Sequence, residues 1–244
     1  MYNRTYSLIS VFLIGSVAAA IPTAAQAQVS GTPSCNGGAC ANRRSPVKVA
    51  QASTQQVKIL LDEGRRLVNS GDYNGAIRVY QEASSLEPKN GSIYSGIGYL
   101  YAQQGNYSAA LAAYRRAVAL NPNNGDYQYA LAYVSGSMGD NNTAKEAYRK
   151  SIQADRQNVN AYIGLALILL RLGEYDSAKW AYEQIIELDP KNPQAYELRG
   201  RIFMKKGQSK EAAGALKQAL NLYKSQEKWD GVTRIDAMLR EIEG

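Results

Sequence analysis

The chain has 244 residues, enough for one or two domains, and is 45% apolar and 20% charged, the balance of a folded protein. It contains no histidine, which excludes His-based acid–base chemistry, Ser-His and Cys-His nucleophile systems, and zinc or haem sites that need imidazole. The net charge is +7, but Arg4, Arg43, Arg44 and Lys48 stand in 1–56 without any acid, leaving 24 basic and 21 acidic side chains interspersed over 57–244, with no basic stripe of the kind that holds nucleic acid.

Residues 1–27 read as a secretory signal peptide. Arg4 supplies the positive start, and Leu8 to Ala20 forms a 13-residue apolar run. As a helix this run spans about 20 Å, short of the roughly 30 Å hydrocarbon core of a bilayer. Ala25-Gln26-Ala27 has the small-x-small pattern of a cleavage site, which makes Gln28 the expected mature N-terminus. The competing reading is an uncleaved membrane anchor.

Residues 28–56 read as a flexible tail, rich in Gly, Ser, Thr, Pro, Asn and Gln and without apolar periodicity. Both cysteines, Cys35 and Cys40, lie here. In an oxidising compartment they can close a small disulfide loop around Asn36-Gly37-Gly38-Ala39. Free or intermolecular thiols and a metal or redox pair stay open as alternatives, although two thiolates do not fill a tetrahedral site.

From 57 onward the chain repeats every 34 residues. Gly71, Gly105, Gly139, Gly173 and Gly207 form one column; Ala76, Ala110, Ala144, Ala178 and Ala212 a second; Tyr80, Tyr114, Tyr148, Tyr182 and, departing, Leu216 a third. Pro88, Pro122 and Pro190 recur in register. Each period divides into two amphipathic segments, such as 92–103 and 107–120, separated by a Gly-Asn break and closed by Asn121-Pro122-Asn123-Asn124. The predicted units are 57–90, 91–124, 125–158, 159–192 and 193–226. Small residues let helices approach and tyrosine rings fill the gaps, which explains 18 tyrosines against two phenylalanines without a ligand. Residues 227–244 predict a further helix, with Trp229, Val232, Ile235, Met238, Leu239 and Ile242 on one stripe. A capping helix on the last unit is expected; a partner-binding or membrane-surface helix is the alternative, disfavoured by its mixed charges.

These columns resemble the tetratricopeptide repeat family, whose pattern is W-x2-L-G-x2-Y, then A-x3-F, then P. Unit two matches through Tyr94, Ile97, Gly98, Tyr101, Ala110, Tyr114 and Pro122. Unit three departs most, with Gln128, Ser135 and Arg156 at the Trp, Tyr and Pro positions. The resemblance implies an all-α, right-handed superhelical solenoid of five 34-residue helix-turn-helix repeats plus the capping helix. It also implies a concave groove lined by the first helix of each pair.

Carried onto this sequence, the family's groove positions give an expected protein-binding groove of Arg65, Tyr99, Tyr129, Tyr133, Gly136, Ile163, Leu167 and Arg201. The same side chains could instead cover one another inside a tight superhelix. Gly136, unusual inside a helix, predicts a pocket between Tyr133 and Leu167 for a partner side chain; a hinge is the competing account. The family's carboxylate clamp is not matched, since its positions hold Leu61, Arg65, Gly96, Asp126 and Ala130. No catalytic residues, metal site or cofactor are expected, because nothing supplies a nucleophile–base pair, a metal cluster or a phosphate loop. The expected function is a non-enzymatic scaffold that binds another protein of its compartment, serving an envelope, secretion, pilus or photosynthetic assembly. The compartment is the periplasm, or a thylakoid lumen if the source is cyanobacterial. Nucleic acid is not an expected partner, and a membrane only through a partner. A glycan- or peptidoglycan-binding module is the alternative, and an enzyme the remote one.

Overall fold

The computed structural model describes residues 46–243, so the signal segment and the Cys35–Cys40 pair lie outside the described residues. Eleven helices follow in order: α1 (Pro46–Asn69), α2 (Tyr73–Leu86), α3 (Gly91–Gln103), α4 (Tyr107–Leu120), α5 (Gly125–Ser137), α6 (Asn141–Ala154), α7 (Val159–Leu172), α8 (Tyr175–Leu188), α9 (Pro193–Lys205), α10 (Ser209–Ser225) and α11 (Trp229–Glu243). Helix begins at Pro46, so 46–56 belong to α1 and not to the tail. Proline suits a first helical position, and the Lys, Ala and Gln residues that follow are good helix formers; the only apolar side chains between it and Val57 are small Val and Ala set among Ser, Thr and Gln, which left no clear stripe.

The helix boundaries follow from local chemistry. Asp72, Asn90, Asn106, Asn124, Asp140, Asn158 and Asn192 each accept a hydrogen bond from a first-turn backbone N–H, which satisfies a donor the helix leaves unpaired. Between paired helices the chain turns through the glycine column, where all five residues sit at φ between +72° and +85°. That left-handed conformation is strained for any residue with a Cβ, which explains why the column holds only glycine.

Helices pack in sequence: α1 with α2, α2 with α3, and so on to α10 with α11. The first helices of neighbouring pairs also touch, α3 with α5, α5 with α7 and α7 with α9, while the second helices show no comparable approach. Elements on the inside of a curved stack lie closer together, so α3, α5, α7 and α9 form the concave face.

The tyrosine column and the small residues that face it form the joints of this stack. Tyr114 and Tyr148 are 5% exposed, and Ala110 and Ala144 are fully buried beneath them. A Cβ added to Gly98 would stand 2.9 Å from the Tyr114 ring, and one added to Gly164 would overlap the Tyr148 ring. The rings therefore occupy volume that only glycine leaves free. A polar latch accompanies the packing: the Tyr94 hydroxyl, the Gln128 amide and the Tyr196 hydroxyl donate to the carbonyls of Pro88, Pro122 and Pro190, at 3.3, 2.8 and 3.1 Å. Gln128, the departure in unit three, is thus buried but satisfied.

At the C-terminal end the joint changes character. Leu216 replaces the ring and fills the space beside Gly200. Helix α10 runs 17 residues, longer than the 14 of α8, and Tyr223 on its last turns packs against Gly231 of α11. Glu197 on α9, only 6% exposed, accepts from Arg234 of α11 through both oxygens, at 2.9 and 2.7 Å, and from the Tyr223 hydroxyl at 2.7 Å. Ile235 is fully buried and Val232 and Leu239 nearly so, while Trp229 stands 63% exposed and takes no part in the expected stripe.

Candidate protein-binding surface

Three consecutive first helices supply the apolar part of the concave face. Tyr99 on α3, Tyr129 and Tyr133 on α5, and Leu167 on α7 are partly buried, packed against the core with one flank open. Tyr99 touches the apolar clusters on both sides of it, so it bridges the first two repeats and the middle of the stack. Tyr129 meets Tyr148 edge to face, with ring centroids 5.8 Å apart, the favoured geometry for two quadrupoles. Burial pushes the Tyr99, Tyr129 and Tyr133 phenols above their usual range, and neighbouring tyrosines add to it. All three therefore present neutral hydroxyls on an apolar shelf. Such side chains combine a large contact area with a hydrogen-bonding tip at small conformational cost.

Charge frames the shelf. Arg65 on α1 is exposed and pairs with Asp62 one turn away. Arg201 on α9 lies 4.0 Å from Glu197, whose stronger partner is Arg234, so the Arg201 guanidinium stays largely available. Between them the face carries exposed Asp126 and Asn160 at the first turns of α5 and α7.

Two expected groove residues are not where the family register puts them. Gly136 is buried and opens no pocket. A Cβ there would come 2.9 Å from the terminal methyl of Ile168 and 3.5 Å from the Ala144 methyl, and the Gly136 carbonyl accepts from Arg171 Nη1 at 2.9 Å. The space expected for a partner is filled by α7 itself. Ile163 is 8% exposed and belongs to the core. Ala102 and Leu170, at the position equivalent to Gly136, are buried as well, so this part of the register turns inward along the stack and not at one unit alone. The expected apolar groove contracts to Tyr99, Tyr129, Tyr133 and Leu167.

Sequence reasoning missed Glu197, which the family register assigns to the groove and the structure assigns to the α11 joint. Its signal was present: an acid at a position where the other units carry Leu61, Ser95, Tyr129 and Ile163, with Arg234 on the one helix outside the repeat. Among the described residues, no three His, Cys, Asp or Glu side chains gather to hold a metal ion, and no helix is long and apolar enough to cross a membrane.

Paired helices joined by left-handed glycine turns, with a concave face open to solvent, define a helical-repeat interaction protein. The chain belongs to the tetratricopeptide repeat family. Three family profiles match it: the TPR domain of cytochrome c-type biogenesis protein H over 87–196, a TPR repeat over 64–105 and a tetratricopeptide repeat over 169–227. Among solved structures, a MamA protein is 27% identical with a TM-score of 0.67, covering 72% of this chain and 96% of its own. A MamA from Desulfovibrio magneticus RS-1 is 20% identical with a TM-score of 0.66, covering 70% and 97%. YrrB, described as a TPR protein with an unusual peptide-binding site, is 19% identical with a TM-score of 0.64, covering 73% and 92%. The last two share the fold. Comparison with curated protein sequences gives no match.

Proposed function

We propose that this protein is an exported, non-enzymatic scaffold that holds a segment of another protein on its concave face. The carrying observation is the row of partly open Tyr99, Tyr129, Tyr133 and Leu167 across three consecutive first helices, flanked by Arg65 and Arg201. An aromatic shelf with cationic ends suits an extended or helical segment whose apolar side chains alternate with polar ones and whose ends carry acids. The peptide-binding description of YrrB is compatible with this use of the fold. The N-terminal signal pattern supports an extracytoplasmic site of action, in the periplasm or a lumen, with the partner in the same compartment.

Site-specific photo-crosslinkers test the reading in the native host. One placed at Tyr133 should yield a discrete adduct with an envelope protein, and one at Ala112 on the outer face of α4 should not yield that adduct. Equal adducts from both positions would remove the concave face as the site. N-terminal sequencing of the mature protein should begin at Gln28, and a product retaining Met1 would overturn export by cleavage.

A further inference from the structure

The outer junction between the third and fourth helix pairs differs from the other three interior junctions. At those, a side chain of the following first helix latches onto the carbonyl of the linker proline: Tyr94 to Pro88, Gln128 to Pro122 and Tyr196 to Pro190. At the equivalent place stand Tyr162 and Arg156, and no such bond forms. A cleft of about 380 Å³ opens instead, lined by Arg149, Ile152, Arg156, Tyr162, Leu165 and Trp180, with Gln153 and Gln184 at its edge. Trp180 occupies a position held by Ala112, Glu146 and Gly214 in other units. It leans on Tyr162 with centroids 5.8 Å apart, yet remains 47% exposed.

The chemistry of this cleft is specific. Its floor is apolar, through Ile152, Leu165 and the two aromatic rings. Arg149 is engaged with Glu146 at 3.1 Å, whereas Arg156 forms no ion pair or hydrogen bond among the described residues. Two acids stand near the Tyr162 hydroxyl and are already used: Asp155 accepts from the Gln157 backbone at 2.9 Å, and Glu187 from Gln184 at 3.4 Å. Their charge opposes a polyanion such as nucleic acid or an anionic bilayer. A single carboxylate beside an aliphatic or aromatic side chain satisfies both the floor and the uncommitted guanidinium. Trp, Tyr and Arg are also the residues that dominate binding energy at protein interfaces.

We infer that the Arg156–Tyr162–Trp180 cleft is a second protein-binding site, on the outer side of the stack, that takes a short acidic-apolar segment of a partner. It is independent of the concave shelf, so the molecule would hold two segments at once.

Two substitutions restore what neighbouring units already carry. Arg156→Pro recreates the linker proline; Asp155 before it is at φ −139°, ψ 101°, an extended conformation that proline tolerates in its predecessor, as at Asp189 before Pro190. Trp180→Ala copies Ala112. Neither should disturb folding. The probe is an end-blocked hexapeptide with a single aspartate flanked by leucines and otherwise serine, read by Trp180 fluorescence in a Trp229→Phe background, since the chain has only two tryptophans. The parent should bind it, and the asparagine–leucine counterpart should bind about ten-fold or more weakly. Arg156→Pro should lose at least about ten-fold in affinity at unchanged helicity and melting temperature. Trp180→Ala, followed by fluorescence anisotropy of a labelled peptide, should lose as much. Tyr133→Arg, which alters the concave shelf, should leave this binding intact. Equal binding of both peptides, full binding by Arg156→Pro, or absence of binding by the parent would overturn the proposal. Loss in Tyr133→Arg alone would place the peptide on the concave face, overturning the outer site while sparing the scaffold reading.

Discussion

The middle of the stack and its C-terminal end are joined by different physics. In the middle, Tyr114 and Tyr148 seat their rings against Gly98 and Gly164, and the joint is almost entirely a matter of shape. At the end, Leu216 has lost the ring, and α11 is held by Glu197 bridging Arg234 and the Tyr223 hydroxyl. Shape joints reuse one tyrosine column against a small residue, glycine or alanine, so they recur along the array. The charge joint requires three particular residues on three helices, and it can be made once. The difference teaches why the array can be repetitive inside and still end at a defined place.

Raising the pH should break the middle most completely. Burial pushes the Tyr114 and Tyr148 phenols upward, with nearby tyrosines adding to it, from an ordinary value near 10. In the unfolded chain these phenols ionise near that ordinary value, while the folded protein keeps them neutral. The stability they confer is therefore intact below about pH 10 and lost as pH rises beyond it. Thermal melts should be flat to about pH 9 and fall steeply above 10, and the last fraction of tyrosinate absorbance, from the buried rings, should appear only as helix is lost. Ionisation of the full set of tyrosines while helix content stays unchanged would contradict buried rings as the joints.

Tyr148→Ala should come next, because removing the ring leaves an unfilled space between α6, α5 and α7. The expected loss is about 3–5 kcal/mol in urea unfolding, the range for truncating a buried aromatic. Glu197→Ala should cost less, about 2 kcal/mol, since Arg234 is one-third exposed and water can reach it once its partner is gone. Its signature is location: amide exchange should accelerate in α11 and the last turns of α10 and stay slow in α5 to α7. A uniform acceleration would show that the end is not an independent joint.

Gly136→Ala should have the smallest effect, within about 1 kcal/mol of the parent. The gain in helix propensity is about that size, and the opposing contact is with the mobile end of Ile168. Gly136→Leu should destabilise by about 1–3 kcal/mol through overpacking. The two substitutions separate a filled interior from a vacant pocket, in which the larger side chain would be tolerated.

Much of this fold was readable in the chain because the requirement is stereochemical and repeats. A glycine every 34 residues, at a position needing positive φ, and an asparagine or aspartate one place ahead of a helix are local facts. The start of α1 was not readable, because its apolar residues between Pro46 and Val57 are only Val and Ala, too small and too scattered among Ser, Thr and Gln to mark a helix face. The concave surface was only half readable. Tyr99, Tyr129, Tyr133 and Leu167 are partly open on the first helices, whereas Gly136 and Ile163 are buried by packing between helices. Gly136 faces Ile168 on α7 and Ala144 on α6, contacts between helices that the periodicity of one helix does not contain. The role of Glu197 depends on Arg234, 37 residues away, a pairing that no single-unit pattern contains. Arg156 stood out as a missing proline, yet the cleft behind it also required Trp180 from the next pair.

The Glu197–Arg234–Tyr223 lock also bears on how the molecule responds to pulling. A stack of near-equivalent joints loaded along its length comes apart from an end, since an end unit has one neighbour to lose and an interior unit two. Here the C-terminal end is fastened by a hydrogen-bonded charge cluster that must break as a whole, while α1 meets the rest mainly through α2, across apolar contacts and with Ile59 bared to water. A partner tugging on the concave shelf would therefore unwind the α1 side first and leave the α9–α11 side standing, so the stack would yield in one direction and resist in the other.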